Sequence, residues 1–73
     1  MDRETVNRIR DATEALGTDP RPAGATMVKG MPGVMRIRVG DYRVLYRVLT
    51  VDEQPVVQVI GVGHRREVYR RMR

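Results

Sequence analysis

The sequence predicts a small α+β domain in which an N-terminal helix packs on a three- or four-stranded, mostly antiparallel sheet. Apolar residues recur at helical spacing over residues 4–16. Two alternating runs, 34–39 and 42–48, flank Gly40-Asp41, a pair suited to a two-residue hairpin turn. A third apolar run at 56–62 follows a polar connection. At 73 residues, the whole of 1–73 is expected to form one domain.

In the helix, Val6, Ile9, Ala12 or Thr13, and Leu16 form a stripe, while Arg3, Asn7, Arg10, Asp11 and Glu14 fall mainly on the other side. Asp2 is placed to cap its start and Gly17 to end it. Thr18-Asp19-Pro20-Arg21-Pro22-Ala23-Gly24 is punctuated by two prolines and a glycine and reads as linker. Ala25–Lys29 could hold a short edge element, and Met31-Pro32-Gly33 reads as a turn. Strands are expected at about 34–39, 42–50 and 56–62, the last two joined by Val51-Asp52-Glu53-Gln54-Pro55. The 56–62 run is apolar on both faces, which suits the centre of a sheet. Residues 67–73 could begin a short helix with a basic end. One helix and three strands bury little, so a protein partner, a second copy or a further segment is expected to complete the fold.

If Gly40 and Asp41 form the turn, Val39 pairs with Tyr42 and Arg38 with Arg43. Met35, Ile37, Val39, Tyr42, Val44 and Tyr46 then share one face, and Arg36, Arg38, Arg43, Leu45 and Arg47 share the other. Like charges directly opposite each other destabilise a sheet, and an anion between Arg38 and Arg43 would remove that cost. The same residues also read as plain solvent-facing polar positions. The whole chain carries 14 basic residues against 9 acidic ones, net +5, and Lys29 is the single lysine. Such a surface favours nucleic acid or an acidic protein partner. The absence of cysteine excludes disulfides and thiolate chemistry, and His64 is the lone imidazole. No metal site or cofactor is expected. The opening residues do not resemble a signal peptide and no apolar run reaches the length of a membrane span, so a cytoplasmic location without membrane contact is expected.

The stretch Arg36–Tyr46, together with Val62-Gly63-His64-Arg65-Arg66-Glu67-Val68-Tyr69 and the upstream Lys29-Gly30, resembles the RelE/ParE superfamily of bacterial toxins from toxin–antitoxin pairs. The hairpin together with that tail is specific to the RelE side, more so than either half alone. That resemblance implies an endoribonuclease that cleaves messenger RNA, typically on the ribosome, and is silenced by a tightly bound cognate antitoxin in an oligomeric complex. It implies attack by the RNA 2′-hydroxyl and a 2′,3′-cyclic phosphate product, with no metal. Carried over residue by residue, the hairpin's basic positions are Arg36 and Arg38, the arginine after the turn is Arg43, the arginine leaving the last strand is Arg65, and the tail tyrosine is Tyr69. Arg38, Arg43, Arg65 and Tyr69 are the expected catalytic set, converging on one anion. Arg36, Arg47, His64, Arg66 and Arg70 are expected to contact RNA.

Two departures matter. Family members usually place a strand and a helix ahead of the helix matched here by 4–16. Members also often carry lysines where this sequence has Arg36 and Arg38, and a guanidinium with a pKa above about 12 is a poor proton acceptor. Two other readings stay open. A gyrase-inhibiting toxin of the ParE branch would share the fold and act by binding, without needing Arg43, Arg65 and Tyr69 together. A non-catalytic protein that only captures the antitoxin or RNA would also fit the short start.

Overall fold

The computed structural model describes residues 2–64. It contains one helix, α1 (Arg3–Thr18), followed by four strands: β1 (Thr26–Met27), β2 (Met35–Val39), β3 (Tyr42–Val51) and β4 (Gln54–His64). The strands form an antiparallel meander in the order β1-β2-β3-β4, and α1 covers one face by packing against β2 and β4. The small α+β architecture matches the expectation, with β1 supplying the fourth strand. Among the described residues, no helix is long and apolar enough to cross a membrane.

Asp2 caps α1: its carboxylate accepts from the Thr5 backbone N–H at 2.7 Å. Hydrogen bonding to Thr5, first through its side chain and then through its backbone N–H, holds the Asp2 carboxyl below its ordinary pKa. The helix runs past Gly17 to Thr18 and closes at Asp19, whose N–H donates to the Ala15 carbonyl. Pro20 follows and cannot continue it. Ile9 and Leu16 are buried and Ala12 packs beside them, but Val6, expected in the same stripe, stays exposed.

The β2–β3 hairpin has the expected two-residue turn and register, with Val39 opposite Tyr42 and Arg38 opposite Arg43. Gly40 takes a positive φ of 60° while Asp41 does not, the pattern of a turn that needs glycine in its first central position. The β3–β4 connection differs from the five-residue loop expected. It is a two-residue turn at Asp52-Glu53, both at positive φ (50° and 66°), and both flanking strands are longer than anticipated. Pro55 lies inside β4, opposite Thr50.

The centre of the sheet also requires correction. The 56–62 run belongs to β4, which is an edge strand, with β3 between it and β2. Its apolar residues divide between two cores. On the helix face, Ile9, Leu16, Ile37, Val39, Val44 and Tyr46 pack together, joined by Tyr42, Val57 and Val62. On the opposite face, Val34 and Leu45 are fully enclosed with Val28, Met31 and Ile60. The glycine- and proline-punctuated loop 28–34 is therefore a lid over Leu45. It is stitched by backbone bonds from Val28 N–H to the Val34 carbonyl and from Val34 N–H to the Met31 carbonyl. A register shift beside Leu45/Tyr46 leaves Ile60 as an extra residue in β4, since Tyr46 faces Val59 but Leu45 faces Gly61. Beneath α1, the Tyr46 hydroxyl donates to the Pro20 carbonyl at 2.7 Å, tying the helix exit to the sheet.

Candidate functional site: the arginine face of the hairpin

The tight turn at Gly40 fixes the strand register, and the register places the guanidinium groups. In a two-residue hairpin the residues flanking the turn exchange both backbone bonds, so Val39–Tyr42 is a bonded pair and Arg38–Arg43 a non-bonded one. Side chains approach most closely at non-bonded pairs. Arg38 is exposed and Arg43 partly buried. On its other side Arg43 faces Gly63, which has no side chain to compete for space.

The remaining hairpin arginines are not equivalent to this pair. Arg36 is partly buried, and its Nε donates to Thr26 Oγ1 at 2.9 Å, binding it to edge strand β1. Arg47 shares the face by register but lies beyond Leu45, which is sealed under the 28–34 lid. The expected single arginine face is thus split into a turn-end pair and an outlying Arg47.

His64 lies on the other face. It pairs with Tyr42, and their rings meet edge to face with centroids 5.3 Å apart. Both line an open cleft of about 360 Å³ with Asp2, Thr5, Arg8, Val39, Gly40 and Asp41. Arg8 was not among the sequence candidates. Its guanidinium lies over Gly40, where an added Cβ would meet Nη1 at 3.6 Å. The readable signal was its i+3 spacing from Thr5 on the flank of Ile9.

Arg65, Arg66, Tyr69 and Arg70 lie outside the described residues. The expected route to Arg65 assumed a central third strand, and β4 is instead at the edge. The last described residue of β4, His64, nevertheless stands opposite Tyr42, at the end of the sheet that holds Arg38 and Arg43. Among the described residues, the turn end therefore gathers fixed positive charge, while the imidazole faces away from it. Guanidinium stays protonated at any physiological pH, so the pair can hold an anion but cannot accept a proton from one.

The sequence profile described as "ParE toxin of type II toxin-antitoxin system, parDE" matches residues 2–69. The curated protein "Toxin RelG" of Mycobacterium tuberculosis (strain ATCC 25618 / H37Rv) is 36% identical over 56 residues, covering 77% of this chain. The chain spans 62% of the length of that relative. No solved structure matches significantly. These matches agree with the superfamily resemblance and correct its functional branch. The endoribonuclease expectation, with its nuclease, hydrolase and translation-inhibition roles and its messenger RNA and ribosome partners, rested on the RelE side. The matching profile is that of ParE toxins, the branch held open above as the alternative to an endoribonuclease.

Proposed function

The chain belongs to the ParE toxin family of type II toxin–antitoxin systems, and from that membership we infer that it is a toxin that disables its target by binding, with DNA gyrase as the target and a cognate antitoxin as its inhibitor. The observation that carries this reading is the profile match over residues 2–69. The described geometry supports it. Arg38 and Arg43 stand opposite each other at the hairpin's turn end, while the His64 imidazole is on the opposite face. Such a surface attracts carboxylates or phosphates.

Arg38 and Arg43 are the proposed anchor for acidic groups, and an acidic or amphipathic antitoxin segment laid over them would silence the toxin. The chain's net charge of +5 favours such a partner. The test is a gyrase supercoiling assay with purified, folded protein. Inhibition at micromolar protein, relieved by the antitoxin and weakened by Arg38→Glu, is the expected result. Full supercoiling activity at micromolar protein, with circular dichroism reporting a folded chain, would overturn the gyrase assignment.

A further inference from the structure

We propose that two copies of this chain join edge to edge through the outer side of β3, residues 47–51, in a two-fold antiparallel pairing centred on Thr50. The starting observation is a difference in strand length. β2 accompanies β3 only as far as the Met35–Tyr46 pair, yet β3 continues to Val51. Along Arg47–Val51 no described strand lies on that side.

The backbone of this segment has a fixed polarity. Val51 and Gln54 flank the Asp52-Glu53 turn and bond to each other. By alternation, Leu49 and Arg47 also bond towards β4, while Thr50 and Val48 turn their N–H and C=O groups to the open side. An axis through Thr50 sets Thr50 opposite Thr50 of the second copy as a bonded pair. It sets Val48 opposite Asp52 of the second copy, two residues on, as the alternation requires. Leu49 then lies opposite Val51 of the second copy. Leu49, Val51 and Val56 share one face by register and are 39%, 50% and 42% exposed. Pairing would join the two sets into one apolar patch.

Charge identifies the occupant. The open edge begins with Arg47 and ends at the acidic tip Asp52-Glu53, with no charge on Val48, Leu49, Thr50 or Val51. Neither Arg47 nor the tip acids form an ion pair with a described residue. Two-fold pairing brings each Arg47 beside the other copy's tip. An edge with a basic end, an apolar middle and an acidic end is complementary to itself, as a two-fold interface must be. A uniformly acidic partner would meet the tip carboxylates. The length also fits, because Met35 occupies the position opposite Tyr46 and the free lane starts at Arg47. The outer edge of β4 suits pairing less well. Pro55 has no N–H to offer on that side, and the Ile60 bulge interrupts the ladder.

Sedimentation equilibrium of the full chain should show a concentration-dependent dimer. Arg47→Glu should raise its dissociation constant by roughly tenfold or more, since like charges then face each other. The triple variant Arg47→Glu, Asp52→Lys, Glu53→Lys should restore wild-type association, with circular dichroism confirming the fold of each. Hydrogen exchange on the wild-type chain gives a readout free of variants: the Val48 and Thr50 amides should slow as concentration rises. A wild-type monomer at every concentration, a dimer indifferent to Arg47→Glu, or a loss that the reversed charges fail to restore would each overturn the proposal.

Discussion

The two halves of the β3–β4 hairpin are built from similar residues and live in different environments. In the half beside the Gly40-Asp41 turn, Val44, Leu45 and Tyr46 are completely buried, because α1 covers one face and the 28–34 lid covers the other. In the far half, Leu49, Val51 and Val56 are exposed, since β2 has ended and neither cover reaches that far. The apolar content of a strand therefore does not report its burial here; the length of the neighbouring elements does.

The comparison can be broken most directly with a pair of leucines. Leu45→Ala opens a cavity beneath the lid and should cost about 2–5 kcal/mol in chemical denaturation. Leu49→Ala, four residues along the same face, should cost under about 1 kcal/mol in the monomer. Equal losses would mean that the far half is as well packed as the near half. Tyr46 sharpens the contrast. Tyr46→Phe removes the bond to the Pro20 carbonyl and should cost about 1–1.5 kcal/mol at neutral pH. Burial also raises the phenol's pKa above its ordinary 10.0. The folded state thus holds that proton more tightly than the unfolded chain. The corresponding stability is present below pH 10 and is lost as pH rises through the folded value. An alkaline denaturation series should show this decline in the parent chain, reduced in Tyr46→Phe. The smallest expected change is in the far half, and it is a gain. Glu53 adopts a left-handed conformation that disfavours side chains. Glu53→Gly should relieve it by about 0.5–1 kcal/mol, net of glycine's added freedom in the unfolded chain. A thermal midpoint unchanged or lowered by Glu53→Gly would show that the turn is unstrained.

What could be read in the sequence was what local periodicity encodes. The α1 stripe, the Asp2 cap and the Arg38–Arg43 pairing follow from spacing and one glycine-containing turn. The lid over Leu45 could not be read in this way, because Val28, Met31 and Val34 sit among turn residues and follow no strand period. The edge position of β4 was hidden for a related reason. Its apolar residues on both faces suggested a central strand, whereas the helix takes one set and the lid takes Ile60. The side occupied by His64 was concealed by the bulge. Strict alternation from Val59 would put residue 64 on the arginine face, but the extra residue at Ile60 turns Val62 and His64 to the helix face. The functional branch was obscured because opposed arginines serve anion binding and phosphoryl chemistry equally well.

Leu45 gives the arginine row a built-in measuring scale. Arg43 and Arg47 lie four residues apart on one strand, about 13 Å at strand rise, which exceeds a Debye length of about 8 Å at physiological salt. A free phosphate or a single carboxylate can satisfy one mark on that scale and leaves the other indifferent. An extended peptide with acids at matching intervals engages both, and its affinity then depends on spacing as well as on charge. Natural variation in a binding partner could therefore retune recognition by sliding one acid along its chain, with its composition unchanged.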